Sequence, residues 1–188
     1  SYLLYDDFEL AEEILDFFTD YYIALYTQLL KHIHIDFVLI WEDMCFKNGP
    51  LISPAMFRRL CMPRYKRFVA AMRKLDVERF VVDTDGNCEQ LIDDFLDIGI
   101  NGIYPFEVAA GMDVEAIRQR YPQLVIIGGI DKRMLARGKA EIDAQVRMVE
   151  RMLGKGGYLP CVDHAVTPDV PFRNYCYFRQ EIKKVLRL

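Results

Sequence analysis

Short apolar runs alternate along this chain with longer stretches of helical period. The runs fall at residues 37–41, 80–82, 102–106, 124–127 and 158–162, each bounded by polar residues, glycine or proline. This alternation predicts parallel strands joined by crossover helices. Before the first run, residues 7–31 carry Phe8, Ala11, Leu15, Phe18, Tyr22, Leu25 and Leu29 at alternating spacings of three and four. Such a heptad-like seam is too short for a coiled coil and predicts one long helix packed on a sheet or barrel. Ser53-Pro54 opens the next helix, with serine as cap and proline in the first turn. Its stripe is Phe57, Leu60, Cys61, Tyr65, Phe68, Val69 and Met72, and Pro63 inside it predicts a kink or split. Further helices are expected around Leu91, Ile92, Phe95 and Leu96 (stopped at Gly99), after a cap at Asp113, over residues 140–153, and through Tyr175, Phe178, Ile182 and Val185.

Each apolar run ends in acid. Glu42-Asp43 follows the first, Asp83-Thr84-Asp85 the second and Glu107 the third, then Asp131 and Asp163-His164 the last two. In parallel α/β folds functional groups gather at the C-terminal ends of strands, so five acidic ends predict one pocket rim. From Asp83 to Glu107 is 24 residues and from Glu107 to Asp131 is 24 again, a spacing that suits repeated βα units. The fold expected is α/β, of the (β/α)8 TIM-barrel type, with this chain carrying about five C-terminal βα units of a single domain over residues 1–188. Residues 1–35 form its leading helix. Eight strands close such a barrel, so the expectation is a chain lacking roughly three N-terminal units, or a half-barrel completed by another chain or a second copy. A five-stranded open α/β sheet is the structural alternative.

Composition narrows the function classes. The 188 residues are 52% hydrophobic, with 24 basic against 28 acidic residues and a net charge of −4. No basic field is present to hold nucleic acid or an anionic membrane. No apolar run is long enough for a membrane span. The five cysteines (Cys45, Cys61, Cys88, Cys161, Cys176) are odd in number and form no C-x-x-C pair. Free thiols in a reducing cytoplasm are the expectation. Cys161 alone stands beside an acid and a histidine. His32 and His34 precede the first strand and so belong to the face away from the acids.

Adjacent strand residues point to opposite faces, so only one of Glu42 and Asp43 can enter the mouth. Asp113 and Asp131 have helix capping as a competing role. Gly128-Gly129 is explained equally by a tight bend or by a ligand approaching the backbone.

Several stretches carry a wider resemblance. These are Trp41-Glu42-Asp43-Met44, Gly49-Pro50-Leu51-Ile52-Ser53-Pro54, Asp83-Thr84-Asp85-Gly86-Asn87, residues 102–107, Ala110-Gly111-Met112-Asp113, Ile127-Gly128-Gly129-Ile130-Asp131 and residues 156–168. In them the chain resembles the C-terminal half of the uroporphyrinogen decarboxylase superfamily. That superfamily includes the decarboxylase of porphyrin biosynthesis, a lyase, and cobalamin-dependent methyltransferases. The resemblance implies a histidine after the last strand, here His164, with Ala165 in place of the family's glycine and Pro168 in register. For zinc methyltransferases it implies His-x-Cys after one strand and cysteine after the last. Here those positions hold Asp83-x-Asp85 and His164. An oxygen and imidazole set still suits zinc or a harder divalent metal, with Glu107 and Asp163 as further ligands or as hydrogen-bond partners that orient His164.

The function expected is therefore corrinoid-linked methyl transfer from a methoxy or methylamine donor, with a corrinoid protein as partner. His164, Asp83 and Glu107 are the expected catalytic residues, and Asp83, Asp85, His164 and Glu107 the expected metal ligands. Glu42, Asp131 and Arg133 are expected to contact the cofactor. Uroporphyrinogen decarboxylation, which would need no cofactor, is the alternative, and a non-catalytic tetrapyrrole- or corrinoid-binding domain is a third reading.

Overall fold

The computed structural model describes residues 2–187. Helices α1 (Leu3–Asp6) and α2 (Phe8–Leu29) lead into β1 (Val38–Trp41), followed by a hairpin of β2 (Cys45–Phe46) and β3 (Gly49–Pro50). Then come α3 (Pro54–Met56), α4 (Met62–Arg73), β4 (Phe80–Asp83), α5 (Ile92–Ile98), β5 (Gly102–Phe106) and α6 (Val114–Arg120). The chain ends with β6 (Val125–Gly128), α7 (Lys132–Arg137), α8 (Lys139–Leu153), β7 (Tyr158–Leu159) and α9 (Phe172–Leu186). The order β1-β4-β5-β6-β7 makes one five-stranded sheet, parallel throughout.

Strand alternation separates two faces. Val38, Phe80, Val82, Ile103, Phe106 and Ile126 point into a core shared with the apolar stripes of the helices. On the opposite face Leu39, Trp41 and Leu159 are exposed, Trp41 at 78%. A doubly wound open sheet carries helices on both faces. A wall with helices outside and a bare inner face is instead a segment of a (β/α) barrel.

Local chemistry accounts for the element ends. The Asp7 side chain accepts from Leu10 N–H and caps α2, and Ser53 Oγ accepts from Met56 N–H ahead of Pro54. Between α3 and α4 the backbone widens into a π-helical turn over Phe57–Cys61, immediately before Pro63, whose ring nitrogen has no hydrogen to donate. The expected split takes that form. The seam of α2 drifts from its expected line. Phe8, Ala11 and Leu15 face inward, but the buried line continues through Ile23, Tyr26 and Leu30, leaving Phe18, Tyr22, Leu25 and Leu29 exposed. A straight helix turns about 20° per heptad away from a 3.5-residue repeat, so a seam drawn on that repeat leaves the face.

The Gly128-Gly129 step is structural. Both residues have positive φ, +114° and +77°. A Cβ on Gly129 would overlap the Val114 side chain of α6, and one on Gly128 would sit 2.9 Å from the Phe106 nitrogen. Gly129→Ala is expected to destabilise the fold by about 1–3 kcal/mol, read as a lower denaturant midpoint. An unchanged midpoint would show that α6 yields without cost.

Candidate functional site

Parallel register brings the strand ends level. Trp41 pairs with Asp83, and Asp83 with Tyr104. Asp83 lies on the inner face, the side that Trp41 and Tyr104 share. Its carbonyl accepts from both Glu42 N–H and Asp43 N–H, at 2.8 and 3.3 Å. Asp43 takes a left-handed conformation, φ 44°, and its carboxylate accepts from Trp41 Nε1–H at 3.0 Å. Thr84 turns the other way, is fully buried, and accepts Met44 N–H on Oγ1 at 3.1 Å. Asp43, Asp83 and Asp85 thus converge, with one carboxylate oxygen from each lying within 4.8 Å of the others. His164 Nε2 reaches Asp85 Oδ2 at 3.1 Å across the mouth. Burial raises the Asp83 pKa, and the charges of Asp43 and Asp85 raise it further.

A second network lies beside the first. Asp163 has no exposed surface, and its carboxylate accepts from Val108 N–H at 3.0 Å and Lys132 N–H at 3.1 Å. Glu107 accepts Gly86 N–H at 3.0 Å. Lys132 Nζ stands 3.7 Å from both carboxylates, its side chain only 12% exposed. One lysine therefore balances two carboxylates that hold the loops after β4, β5, β6 and β7. Burial lifts the Asp163 pKa, while the bonds from Lys132 and Val108 oppose that lift.

The remaining expected residues lie elsewhere. Asp131 caps α7 through Arg133 N–H and takes the Arg133 guanidinium on both oxygens, at 2.8 Å each. Burial alone would raise its pKa, but Arg133 brings it below the ordinary carboxylate value. Glu42 faces away from the trio, into a cavity on the helix side of β1, where burial pushes its pKa up to about 7. Cys161 is half-buried, and its thiol is pushed up to about 11 by burial and the Asp163 charge. It is a protonated thiol at neutral pH. His32 and His34 are exposed, between the end of α2 and the start of β1.

The sequence profile of the uroporphyrinogen decarboxylase (URO-D) family matches residues 2–185. The chain belongs to the uroporphyrinogen decarboxylase family. Its fold is also that of a methyltransferase from Methanosarcina mazei, with a TM-score of 0.70 at 19% sequence identity. That likeness covers 98% of this chain and 52% of the other, so this member of the family spans about half the length of the structure it matches. No curated protein matches it.

Of the expected ligands, Asp83 and Asp85 fall in the converging group, whereas Glu107 lies outside it, its carboxylate engaged by Gly86 N–H and Lys132. Asp43, expected only as a competitor of Glu42 for the mouth, completes the trio. Strand alternation turns Glu42 outward, but the left-handed turn that carries Asp43 to the mouth lies beyond the end of β1 and has no signal in the pattern. Asp131 is buried and paired with Arg133, whose guanidinium remains half-exposed. Lys132 follows Asp131 in sequence, and nothing in the sequence shows its two partners, Glu107 and Asp163.

Lys132→Met would strand two mostly buried carboxylates. The expected cost is about 3–5 kcal/mol, seen in urea unfolding at pH 7 and shrinking as the pH is lowered and Asp163 takes up a proton. A cost below about 1 kcal/mol would mean that the lysine balances little. Glu42 gives a pH signature of its own. Its folded pKa of about 7 lies above the ordinary 4.5, so the folded state holds the proton longer. Stability from this group is present below the ordinary value and is lost as pH rises through the folded one. Glu42→Gln should flatten that fall in thermal melts across this window. A variant with an unaltered pH slope would show that Glu42 titrates normally.

Proposed function

We propose that the acidic mouth serves methyl transfer between a methoxy or methylamine donor and a corrinoid. The supporting observation is the convergence of Asp43, Asp83 and Asp85 with His164 beside them. Carboxylates this close repel one another, and burial with that repulsion raises the Asp83 pKa. A proton on Asp83 or a divalent cation among the three would relieve the repulsion and place an acid at the mouth.

The donor set fits a hard cation better than a thiolate-bound zinc. It offers oxygens and one imidazole, and Cys161 holds its proton. Asp43, Asp83 and Asp85 would hold such a cation, with His164 at its flank, and the bound ion would supply Lewis-acid assistance to the departing heteroatom. A corrinoid supplies the nucleophile that accepts the methyl group. The chain's own residues do the rest. Trp41, through its indole N–H, fixes the Asp43 carboxylate. In the arrangement without a cation, Asp83, whose pKa burial and the charges of Asp43 and Asp85 raise, would be the group that protonates the oxygen or nitrogen losing its methyl group. Asp85 orients the His164 ring. Porphyrinogen decarboxylation fits this mouth less well, because the arms of that substrate are carboxylates and would meet carboxylates.

The test uses the full-length protein. Metal analysis of the purified protein should find a stoichiometric divalent ion that is lost in Asp83→Ala. Methylation of a reduced corrinoid, followed by its absorption spectrum, should fall roughly 100- to 10,000-fold in Asp83→Asn. Full methyl transfer in Asp83→Asn would sink the assignment of Asp83. Turnover of uroporphyrinogen without corrinoid methylation would replace the reading with decarboxylation.

A further inference from the structure

The acids at the mouth have aromatic neighbours. Parallel register sets Trp41, Asp83 and Tyr104 side by side at one level of β1, β4 and β5, on the inner face. Adjacent strands lie about 4.8 Å apart, so the two aromatic residues flank Asp83 at roughly 9.6 Å from each other. The Trp41 indole is tied to the trio by its N–H, which donates to Asp43 at 3.0 Å, and is otherwise exposed. The Tyr104 side chain is half-buried. Burial raises the pKa of its hydroxyl, and the nearby Cys161, Asp83 and Asp85 raise it further, so the phenol stays uncharged. One level down the same strands, the inward positions are Leu39, Val81 and Gly102, which bring no polar side-chain atom. The mouth is thus an anionic patch with a ring on each side and an apolar floor.

Those surroundings discriminate between methyl donors. A proton on Asp83, or a divalent ion among the three carboxylates, leaves at least one carboxylate charge unanswered. His164 stands against Asp85 and offsets at most one. A neutral methoxy compound brings nothing to meet the remainder. A divalent ion draws on oxygen ligands and water and gains nothing from ring faces or aliphatic side chains. A nitrogen bearing three or four alkyl groups uses every part of the site. Its charge meets the carboxylates, its methyl groups meet the floor, and the faces of Trp41 and Tyr104 attract it as a cation. Such attraction extends to about 6 Å from a ring centre, so one nitrogen between the two rings is in reach of both.

We propose that the mouth binds a tertiary or quaternary methylammonium group, with Trp41 and Tyr104 as the residues that select it. The inference rests on the methyl-transfer reading and narrows its donor to this class. In the transfer the methyl carbon takes an electron pair from the reduced corrinoid, and the C–N bond breaks with its own pair left on nitrogen. A quaternary donor leaves as a neutral tertiary amine, and a tertiary ammonium as a neutral secondary amine. A tertiary amine that enters unprotonated first takes a proton from Asp83.

The test measures, by calorimetry on the full-length protein, the binding of two probes of similar shape, tetramethylammonium and the neutral tert-butanol. Tetramethylammonium should bind roughly 10-fold or more tightly than tert-butanol. Trp41→Leu and Tyr104→Leu should each weaken it by roughly 5- to 30-fold. Trp41→Phe and Tyr104→Phe, which keep a ring, should recover most of that loss. Equal binding of the two probes, binding of neither, or leucine variants that bind like the unaltered protein would overturn the proposal. Methyl transfer from a methoxy donor by a protein that does not bind tetramethylammonium would overturn it and leave the methyl-transfer reading standing. Ring-dependent binding of tetramethylammonium by a protein that transfers no methyl group would remove that reading and keep the cation site.

Discussion

One buried cation governs the mouth. Lys132 stands 3.7 Å from Glu107 and from Asp163, and each contact is worth about 4 kcal/mol of Coulomb attraction at an effective dielectric of ~20. Much of that attraction is offset by the desolvation of three charges. What remains is directional. Asp163 takes two backbone N–H groups from the loops after β5 and β6, and Glu107 takes one from the loop after β4. Parallel strands alone set the height of their ends but not the course of their loops. The lysine network sets that course, and with it the positions of Asp85, next to Gly86, and His164, next to Asp163.

That division of labour explains why the acids were legible as a rim but not in their roles. Strand ends followed from apolar runs and their spacing, and the family followed from stretches around those ends. Asp113 and Asp131 were readable as caps because capping is local. Glu107 was not readable as a loop anchor, since its partners Gly86 and Lys132 are 21 and 25 positions away in sequence and meet it only in the fold. Asp43 joined the trio through a left-handed backbone turn at a single residue, which no periodicity encodes. The seam of α2 was misplaced for a related reason: a 3.5-residue repeat and a 3.6-residue helix agree over two turns and then part.

The two faces of the sheet carry different kinds of information. Apart from the cavity beside β1, the helix-facing side is filled by packing within the described chain. On the inner face, Leu39, Trp41 and Leu159 are large, apolar and exposed. A barrel interior is filled by layers of such side chains from alternate strands. Five consecutive strands supply two or three of the four side chains in each such layer. Glu42 reports the same open geometry from the other side of β1, where its carboxyl is desolvated with no counter-charge.

The cations near the rim decide what the mouth can hold. Arg133 is committed to Asp131 through two 2.8 Å bonds, and Lys132 to Glu107 and Asp163. Lys132 cannot take a substrate carboxylate without abandoning a buried partner, which would cost several kcal/mol, whereas Arg133, half-exposed, is held by Asp131 along one edge of its guanidinium. The trio, in contrast, has an excess of negative charge and only His164 beside it. An approaching polyanion would meet repulsion there, whereas a proton, a metal ion or an amine-bearing donor would relieve it. The chemistry open to this mouth is set less by the acids it displays than by the bases it has already used.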